Sequence, residues 1–333
     1  MTIPRPTFKA RHFLMAALVA ATLPLSATMV RAEGAVTVDP KLPVYQKTMG
    51  VAGNLDSIGS DTLNNVMTFW AESFRKLYPN VKIQIEGKGS STAPPALIAG
   101  TSNLGPMSRK MKSEEEDAFE KKYGYKPTRI GVALDSLAVY VHKDNPLQSL
   151  SLPQVDAIFS KSRKGGYPTD IIEWNSLTQD PSLATLPISL YGRNSASGTY
   201  GYFKEHALYK GDYKDMVKEQ PGSAAVVSGI TEDKAGIGYS GIGYRTSGVK
   251  ALALSAKEGA PAYEAHIENV ISGKYPLSRI LYIYVAKEPN KPLPELQKEF
   301  LKFVLSQEGQ QIVVKDGYLP LPASVAAKEA EKL

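Results

Sequence analysis

Three short turns rich in glycine and hydroxyl side chains constrain this chain more than any other feature. They are Gly59-Ser60-Asp61-Thr62, Gly89-Ser90-Ser91-Thr92 and, within the run Arg193-Asn194-Ser195-Ala196-Ser197-Gly198-Thr199-Tyr200, the triplet at 197–199. Each joins a strand-like stretch to a helix-like one. The first follows the short strand-like segment 54–58, and after it Leu63, Val66, Met67, Trp70, Phe74 and Leu77 recur at helical spacing, which makes Trp70 and Phe74 core residues. Val81, Ile83 and Ile85 alternate like a strand running into the second turn, and a proline-headed helix over 94–99 follows it. The third turn links the apolar strand 186–191 to a helix over 199–208. A strand, turn and helix unit used repeatedly implies an α/β architecture, in which ligands bind beyond the carboxyl ends of the strands.

The chemistry of these turns is that of an oxyanion cradle. The first four amides of a helix have no intrahelical acceptor, and the helix dipole adds partial positive charge at the same end. Arg193 supplies a planar fork for two anion oxygens. Taken singly, Ser197 also reads as an ordinary helix N-cap; it is the repetition of the device that favours the cradle.

Residues 1–32 read as a secretory signal peptide. Arg5, Lys9 and Arg11 precede an apolar stretch over 13–25, and Val30-Arg31-Ala32 offers a small-residue cleavage site. A retained anchor would need about 20 apolar residues, and Pro24, Ser26 and Thr28 cut this stretch short. The leader carries four basic residues and no acid, so the remaining chain holds 35 basic against 33 acidic residues. That near balance, with only short basic runs such as 161–164, argues against nucleic acid as a partner. With no cysteine there is neither a disulfide framework nor a site for lipidation, so the expected form is a freely diffusing periplasmic monomer, with secretion to the medium or surface association as the alternative.

The expected organisation is two lobes. An extended or flexible arm over 33–49 leads into a discontinuous first lobe, 50–138 and 280–333, and the second lobe takes 139–279. The long apolar strand 131–141, interrupted by Asp135, and the apolar stretch 279–285 supply a two-stranded hinge near 134–143 and 277–286. Amphipathic helices around 296–305 and 309–314 return to the first lobe.

In this order the motifs resemble the periplasmic phosphate-binding proteins of the PstS type, the substrate-binding subunits of phosphate ABC importers, with the variants of Pseudomonas-like bacteria as the nearest form. The resemblance spans the chain beyond the leader and rests on Ser57-Ile58-Gly59-Ser60-Asp61-Thr62-Leu63, the second turn, Asn103-Leu104-Gly105-Pro106-Met107-Ser108-Arg109, Asp135 in its strand, the third turn and Gly236-Ile237-Gly238-Tyr239. It implies a type II periplasmic binding protein fold with inorganic phosphate as ligand. Ser60, Thr62 and Leu63 then fall on the first anion turn, Ser90 and Ser91 on the second, and Arg193, Ser197, Gly198 and Thr199 on the arginine-bearing segment. One position departs from the family: an aspartate is expected where this chain has Ser108 followed by Arg109. That aspartate accepts a hydrogen bond from a phosphate O–H, and sulfate, with no proton to offer, is rejected by the unpaired acceptor. Asp61 and Asp135 are the candidate replacements, with an N-cap role for Asp61 and a structural hydrogen bond for Asp135 as their alternatives. Arg109 is either a second anion contact or a surface charge.

The mechanism implied is capture by hinge bending, with closure read by a membrane permease. No phosphate-binding loop for ATP is present, so hydrolysis belongs to a separate ATPase subunit; no cofactor or metal is expected. The contrasting readings are an exported phosphatase or serine hydrolase and an envelope adhesion or scaffold protein. The segment 238–241 fails G-x-S-x-G because its second glycine comes one place early, and His142, His206 and His266 lack metal-ligand spacing and read as surface or loop residues.

Overall fold

A computed structural model of the chain describes residues 1–2 and 36–333; the expected signal peptide over 1–32, apart from its first two residues, lies outside the described residues. From the N-terminal side the elements are β1 (Gly53–Gly59), α1 (Asn64–Leu77), β2 (Val81–Gly87), α2 (Ala93–Ala99), β3 (Gly105–Met107), α3 (Ser113–Tyr123) and β4 (Thr128–His142). The middle of the chain forms β5 (Ser149–Ser151), α4 (Leu152–Phe159), β6 (Ser189–Arg193), α5 (Gly198–His206), β7 (Lys218–Gln220), α6 (Ser223–Glu232), β8 (Gly236–Gly241), β9 (Val249–Ala251), β10 (Ala253–Ser255) and α7 (Ile267–Ile271). It closes with β11 (Ser278–Val285), α8 (Glu295–Val304), α9 (Gln307–Lys315) and α10 (Ala323–Ala330).

The described residues form four clusters of buried apolar side chains, and the two largest mark two lobes. The first draws on residues 42–133 and 281–326, with Trp70, Phe74 and Phe300 fully buried. The second draws on 137–277 and on Leu319, around Trp174, Phe159, Phe203 and Tyr239. Large aromatics of this kind bury the most apolar area per side chain, and truncating one to alanine typically costs about 3–5 kcal/mol. The helix that follows β1 begins where the sequence pattern starts, and both Trp70 and Phe74 face inward as that pattern requires.

A single long strand ties the lobes together. Residues 128–136 of β4 pair antiparallel with β11, whereas 137–142 pair with β8 and β9. The sheet order is β3-β11-β4-β8-β6-β7, with β9 also on β4. The parallel pair β1-β2 adds to the β3 edge through the Ser57↔Leu104 bridge. The two long strands expected near 134–143 and 277–286 do pair, but in another register: their antiparallel ladder starts at Thr128, several residues before the expected 134, and beyond Ser136 the strand β4 changes partner.

Three local expectations need correction. The strand before the third turn runs from Ser189 to Arg193 rather than over 186–191, because Leu186 lies in an exposed bend beside Pro187, while Tyr191, Gly192 and Arg193 pair in parallel with β7. The helix after it ends at His206 instead of 208, where Tyr209 and Lys210 adopt positive φ. His142 is no surface residue: it ends β4 in register with Val249 and is buried. The arm over 36–49 is extended and pinned at several points, with Leu42 in the first core, the Tyr45 hydroxyl donating to Glu299 (2.8 Å) and the Ala323 N–H donating to Asp39 (3.0 Å).

At the end of α9, burial pushes the Asp316 carboxyl up to about 7, and its Oδ2 has no hydrogen-bond partner among the described residues. The folded chain thus keeps this proton well above the ordinary 3.8 at which an unfolded chain releases it. Stability from the protonated form is complete below pH 3.8 and is lost as pH rises through about 7. Between pH 5 and pH 8 the melting temperature of Asp316→Asn should therefore fall less than that of the parent chain; equal falls in a pH series of thermal melts would contradict the assignment.

Candidate functional site

The three turns converge at the seam between the lobes. Each opens a helical turn: Asp61, Ser90 and Gly198 are the first residues of theirs, so their leading amides have no intrahelical acceptor. The first turn is held from behind. Tyr318 donates to the Thr62 carbonyl (2.7 Å), Tyr244 donates to the Asp61 carbonyl (2.8 Å), and the Ser60 N–H donates to the Pro106 carbonyl (2.7 Å). With these carbonyls occupied, the peptide dipoles of 60–63 are fixed, and Leu63 anchors the turn in the first core.

Contacts across the seam are short. Thr62 Oγ1 and Thr199 Oγ1 lie 2.9 Å apart, and the Ser91 N–H donates to the Ala196 carbonyl (3.1 Å). Ser90 and Ser108 hydroxyls are 3.2 Å apart, and the Ser108 N–H donates to Ser90 Oγ (3.0 Å). Gly198 packs on this pair so tightly that a Cβ there would sit 2.3 Å from Ser90 Oγ and 2.6 Å from Ser108 Oγ. Gly89, at φ 112°, has the same tightness against the Ala196 carbonyl. Ser197 is the N-cap of α5, accepting from the Thr199 and Tyr200 amides (3.1 and 3.4 Å).

Two ion pairs set the electrostatics. Arg193, 1% exposed, places Nη1 3.1 Å from Asp61 Oδ2 and donates from Nη1 to Ser223 Oγ (2.7 Å) and from Nη2 to the Pro221 carbonyl (3.1 Å). Its Nε is buried with no hydrogen-bond partner among the described residues. Burial pulls the guanidinium below its ordinary pKa, and Asp61 opposes that shift. Asp61 Oδ2 also accepts from the Ser223 N–H (2.8 Å) and hydroxyl (2.9 Å), so this carboxylate bridges the lobes. Its N-cap alternative fails: Ser60 occupies the N-cap position, and no side chain caps that turn.

The second pair was not foreseen. Arg279 heads β11 in register with Asp135 and donates from Nε to Asp135 Oδ2 (2.8 Å), from Nη1 to the Ser108 carbonyl (3.0 Å) and from Nη2 to Thr199 Oγ1 (2.9 Å). Asp135 Oδ1 accepts from the Ile242 N–H (3.0 Å), so both carboxylate oxygens are engaged inside a fully buried site. The sequence signal existed in the two charged residues that interrupt two apolar strands, at positions the register brings together. Ser223, Tyr244 and Tyr318 gave no such signal.

Arg109 and Ser91 stand apart from the cluster. Arg109 makes a two-pronged ion pair with Glu115 (2.7 Å on each prong) and donates to Ser91 Oγ (3.2 Å), at the mouth of the seam. Ser60, Asp61, Thr62, Leu63, Ser90, Ser108, Arg193, Ser197, Gly198 and Thr199 are gathered together, and Asp135 lies behind them through Arg279.

This architecture has known counterparts. A family model described as a PBP superfamily domain matches residues 46–308, and it defines the class to which the fold belongs. The phosphate-binding protein PstS of Pseudomonas aeruginosa is 58% identical over 316 residues, covering 95% of this chain and 98% of its own. Protein SphX of Synechococcus elongatus is 29% identical over 269 residues, covering 80% and 77%. A crystal structure from Clostridium perfringens, assigned as a phosphate ABC transporter substrate-binding protein with bound phosphate, superposes with a TM-score of 0.67 at 28% identity, over 81% of this chain and all of that one. The chain belongs to the PstS family of phosphate-binding proteins.

Proposed function

We propose that this chain binds inorganic phosphate in the periplasm by closing its two lobes around it, and delivers it to the membrane subunits of an ABC importer whose ATPase is a separate chain. The observation that carries the reading is the buried Arg193 Nε, which has no hydrogen-bond partner among the described residues where the three turns meet. Asp61 and Ser223 occupy Nη1, which leaves the Nε side of the fork for anion oxygens. The leading amides of Asp61, Thr62, Ser90 and Gly198, which no acceptor takes up among the described residues, complete a shell of neutral donors with the hydroxyls of Thr62, Ser90, Ser197 and Thr199. Asp61 balances Arg193 and Asp135 balances Arg279, so an anion is stabilised by fixed dipoles and one guanidinium edge rather than by excess positive charge. The relatives are named for binding phosphate, which supports the same ligand here.

Asp61 is the group that would recognise the phosphate proton. No hydrogen bond among the described residues reaches its Oδ1, whereas Asp135 has neither oxygen to spare. Ligand at about 1,000 times Kd stabilises a fold by about 4 kcal/mol, so phosphate should raise the melting temperature strongly and sulfate should not. Asp61→Asn should narrow the phosphate-to-sulfate ratio of affinities by about tenfold to a hundredfold, the worth of one unpaired buried acceptor. A parent chain whose melting is indifferent to phosphate would end the functional reading. A variant with unchanged sulfate exclusion would end only the role given to Asp61.

A further inference from the structure

At the outer end of the seam lies a cavity of about 450 Å³ that borders the proposed phosphate site without being part of it. Ser91 and Ser197 form its inner edge, and both lobes contribute to its wall. One wall is a single face of α5, where Ser197, Tyr200, Gly201 and Lys204 recur at helical spacing. Tyr200 is held flat there by stacking on Tyr213 at 4.5 Å. The cavity is lined by four cations, Arg109, Lys112, Lys204 and Lys210, against one acid, Glu205. This stands out in a chain whose charges, leader aside, nearly balance.

The pairing of these cations decides which of them is available. Arg109 is bound on both prongs by Glu115, and Lys204 is paired with Asp212 at 2.7 Å in an exposed, weakly stabilising bridge. Lys112 lies 3.8 Å from Glu114, and Lys210 has no carboxylate at ion-pair distance among the described residues. Lys210 thus keeps its charge for the cavity and Lys112 much of its own, Lys204 adds a donor at the wall although Asp212 offsets its charge, and the positive end of the α5 dipole adds to the field.

We propose that this cavity is a capture vestibule for oxyanions, in which Lys112, Lys204 and Lys210 concentrate phosphate before it passes Ser91 and Ser197 to the cluster around Arg193. The vestibule rests on the phosphate reading above. It acts on the rate of arrival: steering by a charged cleft raises association rates and fades with ionic strength, whereas the closed shell that retains the ligand contains none of these lysines.

The test compares the parent chain with Lys112→Gln/Lys204→Gln/Lys210→Gln. Both carry Lys88→Cys, labelled with an environment-sensitive fluorophore; the chain has no other cysteine, and Lys88 is exposed beside the Gly89 turn. Stopped-flow mixing with inorganic phosphate at low salt should show association slowed about fivefold to tenfold in the triple variant, with the dissociation rate unchanged and the difference closing near 0.5 M salt. Equal association rates at low salt overturn the vestibule, as does a change confined to dissociation. Equilibrium dialysis of the parent chain separates the two readings. Retained phosphate with equal rates removes only the vestibule, and no retention removes the phosphate assignment and the vestibule with it.

Discussion

Replacing Arg193 by alanine should weaken phosphate binding by about a thousandfold. Removing one member of a buried ion pair costs about 3–5 kcal/mol, and every 1.4 kcal/mol is a factor of ten in affinity. Two losses act together here. The anion loses its charge-assisted donor at Nε, and Asp61, held at the seam by Ser223, becomes an uncompensated negative charge facing a negative ligand. The second loss is separable. In the Arg193→Ala/Asp61→Asn double variant the repulsion is gone while the missing donor remains, so affinity should recover by about tenfold relative to the single variant. Isothermal titration with phosphate on the three proteins measures both terms. A single variant within tenfold of the parent would show that the guanidinium serves the interlobe contact alone. A double variant no better than the single would show that Asp61 is not felt by the ligand.

Much of this arrangement could be read from residue order. The turns, the helices that follow them and the inward placement of Trp70 and Phe74 come from local spacing, since amphipathic periodicity and a glycine at a strand end are recorded within a dozen residues. Ser197 illustrates a choice that local spacing leaves open: it is a helix N-cap, and its position at the seam also leaves its hydroxyl proton for a ligand. The pairing of charges was less legible because it depends on register across great separations. Arg279 reaches Asp135 over 144 residues, and only the antiparallel alignment of β4 with β11 brings them opposite. Asp61 was singled out from sequence, yet its partner Ser223 begins α6 in the other lobe, and no local pattern links the two. Arg109 shows the converse. Its place after a buried strand suggested an anion contact, but the first turn of α3 supplies Glu115 six residues on, and that carboxylate captures the guanidinium first.

Gly198→Ala should abolish closure while leaving each lobe intact. The substitution is benign in the helix itself, since alanine at an N-terminal helical position is no worse than glycine and removes freedom from the unfolded chain. Its cost arises only when the lobes meet. The new Cβ would lie 2.3 Å from Ser90 Oγ, 2.6 Å from Ser108 Oγ and 2.8 Å from Ser90 Cβ, all inside normal contact distance. Rotating the Ser90 hydroxyl relieves only the first of these contacts, so the helix must retreat, and with it the Thr62–Thr199 and Ser91–Ala196 contacts. Because apparent affinity scales with the fraction of molecules able to close, a closure penalty of about 3 kcal/mol lowers phosphate affinity by roughly a hundredfold or more. Gly201→Ala is the matched control. It lies one turn along the same helix, where a Cβ meets Arg109 Cδ at an ordinary 3.7 Å, and it should bind as the parent does. Small-angle scattering at saturating phosphate should show the parent and Gly201→Ala contracting and Gly198→Ala remaining extended, with the melting temperature of the ligand-free protein unchanged. If Gly198→Ala contracts and binds within fivefold of the parent, the contact between α5 and the Ser90 turn does not govern closure.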